Sequence, residues 1–226
     1  MDLQLDSRVV LVVGATGYIG SAIAGRLADE GAIVVGASRS GDADLTIDGT
    51  DAASVAAGIA AVLAEHGRID GVVVTAAPSL GTLDPALSSD PEQVLAAVDG
   101  KAMSFLRIAS AALPAMRDRG YGRIVGISGQ NAYFTGSITG SIRNAALNIA
   151  AKNLADAHAG TGITVNTVNP GHVRDEPTST VKPAGAGDSS PDQIADLVAF
   201  LVSPRAAAIS GEAIAVGHRV RGIASF

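Results

Sequence analysis

The sequence contains no cysteine and no tryptophan, and its aromatic residues are four Phe and three Tyr. The first absence excludes disulfides, thiol nucleophiles and thiolate metal sites. Scarce aromatics, a net charge of −6 and no run of basic residues leave nothing for nucleic acid to stack on or be attracted to, so no nucleic-acid partner is expected. No uninterrupted apolar stretch reaches bilayer-spanning length and the N-terminus lacks a signal-peptide pattern. The expectation is therefore a soluble, cytoplasmic protein without a membrane partner. The histidines are His66, His158, His172 and His218, with no pair at metal-ligand spacing, and no metal is expected.

What is present starts near the N-terminus. The apolar run Val9 to Val13 meets three glycines spaced G-x-x-G-x-x-G, in Gly14-Ala15-Thr16-Gly17-Tyr18-Ile19-Gly20. Gly14 lets the chain turn sharply out of a strand, Gly17 lets backbone approach a pyrophosphate, and Gly20 lets the next helix pack closely on the sheet. Phosphate charge would then sit at a helix N-terminus, where unpaired N–H groups and the helix dipole favour an anion. The same spacing also describes a tight turn that binds nothing, so the surroundings decide. Ser21 to Glu30 carries Ile23, Ala24 and Leu27 on one helical face, and a second apolar run, Ala32 to Val35, follows Gly31. Strand, turn, helix and strand form one βαβ unit, which favours a dinucleotide site.

Further on, apolar runs at Gly71–Val74, Arg123–Ile127, Ile163–Val168 and Ala213–Val216 alternate with helical patterns at Pro91–Met116, Gly140–His158 and Pro191–Val202. Continuous apolar strands in βα order predict a parallel sheet covered on both faces. With right-handed crossovers this is a three-layer α/β/α doubly wound Rossmann fold, in a single domain spanning residues 1–226. The one long loop-like stretch, 174–191, is rich in Pro, Gly and Ser and reads as a mobile substrate lid or a disordered segment.

Several blocks together resemble the short-chain dehydrogenase/reductase family. Besides the glycine turn they are Asp48-Gly49-Thr50-Asp51 through Val55, Ile69-Asp70-Gly71 through Ala76-Ala77, Gly122-Arg123-Ile124-Val125-Gly126-Ile127-Ser128, Gly162 through Pro170-Gly171, and Ser203-Pro204-Arg205 with Ile209-Ser210-Gly211-Glu212. The resemblance implies a dinucleotide held by Gly14, Thr16, Gly17, Tyr18, Ile19 and Gly20, by Asp48 and Gly49 at the adenine, by Ala76 and Ala77, and by Asn144, Pro170, Gly171 and Val173 at the nicotinamide end. Where NAD-binding members carry a carboxylate at the end of the second strand, this chain has Ser38-Arg39-Ser40. A guanidinium grips a 2′-phosphate bidentately and the serine hydroxyls add donors, so NADP(H) is the expected cofactor, against a solvated loop arginine.

The catalytic pattern departs from the family. Its Y-x-x-x-K falls on Gly140-Ser141-Ile142-Arg143-Asn144, so Tyr and Lys are both absent. The only lysines are Lys101, Lys152 and Lys182, none four residues after a tyrosine. Ser128 matches one of the family's paired serines beside Gly129, the asparagine of the central helix falls at Asp99, and the N-N-A-G asparagines are Val74 and Thr75. Asn144 retains hydrogen bonds for ribose hydroxyls. Tyr133 and His172 are candidate replacement proton donors, with packing under the loop and surface exposure as their ordinary alternatives. Arg143 faces substrate or a subunit partner. The expected activity is hydride transfer to a small carbonyl or enoyl compound with a non-standard proton donor. The rivals are a catalytically silent NADP(H)-binding sensor or partner subunit, and a non-redox lyase or isomerase. The resemblance also implies a homodimer or homotetramer through the helices at Pro91–Met116 and Gly140–His158, with Ala145, Ala146, Ala150 and Ala151 allowing close approach.

Overall fold

In a computed structural model, which describes residues 1–40, 42–77 and 83–222, the apolar runs become strands. They are β1 (Val9–Val13), β2 (Ile33–Ser38), β3 (Leu45–Thr46), β4 (Gly71–Val74), β5 (Gly122–Ile127), β6 (Ile163–Pro170), the short β7 (His172–Val173) and β8 (Asp188–Ser189), and β9 (Ala213–Val216). The helices are α1 (Tyr18–Asp29), α2 (Ala52–His66), α3 (Pro91–Val98), α4 (Ser104–Arg119), α5 (Ile138–Ala157) and α6 (Pro191–Val202). Seven strands form one sheet in the order β3-β2-β1-β4-β5-β6-β9, all pairs parallel. β7 and β8 pair separately.

Alternate residues of each strand point to opposite faces, which divides the core in two. Leu11, Val13, Val72, Val74, Ile124 and Val165 pack with Ile59 of α2, Phe105 and Ile108 of α4 and Leu147 of α5. Val10, Val12, Val73 and Val125 pack on the other side with Ile23 and Leu27 of α1 and Ile194 and Val198 of α6. Burial on both faces explains why these strands read as continuous apolar runs. Because the chain starts in mid-sheet, builds outward to β3 and then crosses back to β4, a crevice opens between the ends of β1 and β4.

Two glycines at that crevice are sterically obligatory. Gly14 has φ +94°, and a Cβ there would lie 2.3 Å from Thr75 Oγ1. A Cβ on Gly20 would lie 2.0 Å from the Gly14 carbonyl oxygen, so α1 is seated directly on the turn.

One expectation changes. The helix read over Pro91–Met116 is interrupted by a π-turn at Asp99–Met103, which carries one residue more than an α-turn. Within the 174–191 stretch β8 returns to pair with β7, and Arg221 N–H and Ala184 N–H bond across to Gly185 O and Arg221 O. Among the described residues no helix is long and apolar enough to cross a membrane.

Replacing Gly20 by Ala should destabilise the protein by about 2–3 kcal/mol through overpacking against the Gly14 carbonyl. Gly25→Ala, in the same helix with open space around its Cβ, should stabilise by up to about 1 kcal/mol through lower backbone entropy. Urea unfolding of the two variants checks the pair; equal effects would contradict the seating of α1 on the turn.

Candidate active site

Parallel strands bring five loops to one edge: the glycine turn after β1, Ser38–Ser40 after β2, Thr75–Ala77 after β4, Ser128–Gly129 after β5 and Gly171 after β6. At the glycine turn, Gly17 caps α1 without any side-chain hydrogen bond. By contrast Asp51, Asp90, Ser137 and Ser190 cap α2, α3, α5 and α6 with their side chains. The N–H groups of Thr16, Tyr18, Ile19 and Gly20 have no acceptor among the described residues. Four free donors at the positive end of a helix suit a pyrophosphate. The turn is braced by Thr75, whose hydroxyl lies 3.1 and 3.0 Å from the carbonyls of Val13 and Gly14, and by Ala76 N–H on Val13 O. Ala77 follows at the surface.

At the other end of the crevice Ser38 is buried and donates to the carbonyl of Ser40, which shapes the β2 exit, while Arg39 and Ser40 are exposed. Arg39 forms no ion pair among the described residues. Asp48 accepts from Thr50 N–H and hydroxyl, which hold its carboxyl below the usual range, and Gly49 lies against Ser104. Asp44 accepts from Gly36 N–H at 2.7 Å.

Gly140 and Asn144 share the buried face of α5, one turn apart. A Cβ on Gly140 would lie 2.9 Å from Asn131 Nδ2 and 3.0 Å from Ser137 Oγ, so those two side chains fill the place of a larger residue. A cavity of about 250 Å³ adjoins them, lined among others by Ser88, Gln93, Asn131, Ser137 and Thr139. A larger cavity of about 340 Å³ sits at the start of β6, at the opposite edge of the sheet and away from every residue of this site. Asn144 is 4% exposed, its Oδ1 has no hydrogen-bond partner, and its backbone carbonyl receives the Ser128 hydroxyl at 3.1 Å. A substrate oxygen must compete for that hydroxyl.

Beneath Ser128 lies a group that the sequence reading did not place here. Lys101, 6% exposed, donates from Nζ to the Ser128 carbonyl at 2.9 Å. Burial, with the positive charge of Arg143 adding to it, pushes its ammonium down to about 7. Asp99, where the resemblance put the family's helix asparagine, pairs with Arg107 at 2.6 Å on the half-exposed side, while Lys101 on the same π-turn is buried. The signal was available: residues 97, 101, 105 and 108 follow a helical stripe, and all four are buried. Arg143, also buried at 4%, faces this layer rather than a subunit partner.

Tyr133 and His172 are placed for other tasks. Tyr133 donates to the carbonyl of Ala213, at the start rather than the end of β9, and Arg219 lies over its ring at 4.9 Å. Burial raises its hydroxyl pKa, and the hydrogen bond ties the 130–133 turn to β9. His172 is exposed, with Nδ1 3.6 Å from Asp188 Oδ1, so it is turned to the loop. Gly171 is needed for packing, since a Cβ there would lie 2.1 Å from the Gly187 carbonyl. Pro170 ends β6 in register with Val216, and Val173 pairs with Ser189. Across the crevice Tyr18 of the glycine turn donates to Asp175 of the loop, a contact with no signal in the sequence.

With this geometry in place, comparison with known proteins gives consistent matches. A family model described as enoyl-(acyl carrier protein) reductase matches residues 14–218. The 3-oxoacyl-[acyl-carrier-protein] reductase FabG of Vibrio cholerae is 32% identical, covering 95% of this chain and 97% of that protein. The protein of the same name from Escherichia coli is 30% identical over 95% of this chain and 97% of its own length. Among solved structures, gox2181 superposes with a TM-score of 0.82 over 95% of this chain and 96% of that one, at 24% identity.

The anchored loop gives a test. Asp188 receives Thr178 N–H and hydroxyl, and Arg174 and His172 stand beside it; together these hold its carboxyl below the ordinary aspartate value. A depressed folded-state value contributes stability that is complete above the unfolded value and is lost as pH falls through the folded one. Asp188→Ala at neutral pH, and acidification of the parent below about pH 4, should therefore both speed amide exchange across 172–189 while the sheet stays protected. Unchanged exchange in the variant would show that the loop is held by other contacts.

Proposed function

The chain belongs to the short-chain dehydrogenase/reductase family, and on that premise we propose that it binds NADP(H) and reduces a small carbonyl or enoyl compound with a proton donor other than the family's tyrosine. The observation that carries the reading is the uncapped α1 with its four unclaimed N–H donors at the crevice. The end of β2 supports the phosphorylated dinucleotide. Arg39 is exposed beside the Ser38 and Ser40 exit, and none of residues 38–40 carries a carboxylate. Guanidinium binds phosphate through parallel charge-assisted hydrogen bonds.

When bound, the dinucleotide supplies hydride. The chain's own residues do the rest. Thr16, Tyr18, Ile19 and Gly20 orient the pyrophosphate with backbone N–H groups, Asp48 and Gly49 border the adenine, and Ala76 and Ala77 wall the crevice. Pro170, Gly171 and Val173 border the nicotinamide end. The unpartnered Oδ1 of Asn144 accepts from a ribose hydroxyl, and Ser128 turns its hydroxyl from the Asn144 carbonyl toward a substrate oxygen. The relatives' names point to thioester-linked 3-oxoacyl or enoyl compounds as the first substrates to try. A second reading is favoured by Gly140 and Asn144 standing where Tyr and Lys would be: an NADP(H)-binding protein without turnover. General acid catalysis is worth roughly 10²–10⁴-fold, so its loss without replacement would leave little reduction.

Calorimetry and NADPH oxidation separate these readings. NADPH should bind more tightly than NADH, and Arg39→Ala should weaken NADPH about tenfold or more while leaving NADH nearly unchanged. Oxidation of bound NADPH by a panel of 3-oxoacyl thioesters, enoyl thioesters, ketones and quinones is the expected result. Binding without oxidation supports the second reading, and equal affinities for the two cofactors defeat the NADP(H) assignment.

The same family reading proposes self-association. Leu95 of α3 and Ile142 and Ile149 of α5 are exposed at 68%, 44% and 63%, with the small Ala145 and Ala146 between the latter two. Ala151, expected on that face, lies instead in the core. Light scattering at micromolar concentration should give a dimer or tetramer, and Ile149→Asp should shift it toward monomer. A monomeric parent would remove the proposal.

A further inference from the structure

Lys101 is the one lysine of three that the fold buries, and the interior is a costly place for an ammonium. It occupies a core stripe with Ala97, Phe105 and Ile108, on the π-turn that joins α3 to α4, and such turns recur at functional sites. An ammonium carries three donors. One goes to the Ser128 carbonyl, and the other two have no acceptor among the described residues. In the same layer Asn144 Oδ1 is a buried acceptor without a donor, while Asn144 Nδ2 lies where a Cβ on Gly129 would be 3.0 Å away. Unfilled donors and an unfilled acceptor thus flank Ser128 and Gly129 at the end of β5.

The charge that acts on Lys101 from a neighbouring element is of its own sign. Arg143 approaches from α5. Asp99 on the π-turn itself is paired outward with Arg107, the 128–133 segment contains no charged side chain, and the sequence of 78–82 contains no acidic one. No described carboxylate pairs with Lys101.

We propose that Lys101 is the positioning lysine of this site: from the π-turn it fixes the Ser128–Gly129 wall against Asn144 and holds at the nicotinamide end the positive charge that α5 lacks at position 144. The proposal rests on the NADP(H) reading. A neutral amide would serve to hold one carbonyl, so a merely structural role predicts no dependence on the charge of residue 101. A positioning role predicts that the anionic cofactor and the ammonium stabilise each other, and this coupling is reciprocal.

Three lysines make the test direct, because lysine labelled with ¹³C and ¹⁵N gives three side-chain signals in the unmodified protein. Without ligand the Lys101 signal should titrate near pH 7. Saturating NADPH should raise its midpoint by about one pH unit, leaving Lys152 and Lys182 unmoved, which corresponds to about tenfold tighter binding by the protonated form. NADPH affinity should accordingly weaken about tenfold between pH 6 and pH 9. Lys101→Met should lose the Lys101 contribution, leaving only the titration of the ligand's own phosphate, and Lys101→Arg should restore tight binding at both pH values. An unchanged or lowered Lys101 midpoint in the presence of bound NADPH overturns the proposal while leaving the cofactor reading intact. Failure of NADPH to bind at either pH overturns the cofactor reading, and this proposal with it.

Discussion

The Gly14 carbonyl is the point at which β1, α1 and β4 meet, and the geometry of the crevice follows from it. Gly20 brings the first turn of α1 against that oxygen, Thr75 reaches it from the end of β4, and Gly14 itself sits in the left-handed region that allows the turn. Contacts this short leave no room for a side chain at 14 or 20. They also hold the free N–H groups of α1 above the sheet edge, where a rigid array of donors costs little to organise around an anion. Displace the helix and the array points elsewhere.

A second constraint is electrostatic. The chain is acidic overall, yet the buried layer between α4 and α5 contains Lys101 and Arg143. Acidic groups are deployed around the edges: Asp51 and Asp90 cap helices, Asp48 closes on Thr50, and Asp188 collects the loop. The loop in turn sends Asp175 to Tyr18 of the glycine turn, so an exposed hydrogen bond joins the two. A bridge of that kind is easily exchanged with water, whereas the contacts at Gly14 are not.

Much of this was legible in the linear chain, for identifiable reasons. Val9 to Val13, Val72 to Val74 and Ile163 to Val168 are buried on both faces of a parallel sheet, so their side chains carry no alternation and stand out as apolar runs. Gly14 and Gly20 are required by local sterics, and local sterics leave a local signature. That Gly140 and Asn144 share the buried face of α5 is legible because helical spacing keeps positions 140 and 144 on one face. Harder to read was Lys101, which stands at helical spacing with Ala97, Phe105 and Ile108 but is of a residue type seldom placed in a core. Tyr133 and His172 were read by chemical type, but their partners, Ala213 and Asp188, lie 80 and 16 positions away.

The sequence by itself therefore determined the strand and helix order, the parallel sheet and the tight glycine turn, since each depends on neighbours within a few residues or on a fixed period. Tertiary structure alone decided which polar groups share the site. Lys101 meets Ser128 across 27 positions and Tyr18 meets Asp175 across 157. Such pairings are set by how α4 packs beneath β5 and how the loop returns over β1, and no periodicity along the chain encodes a contact made by two elements that each obey their own.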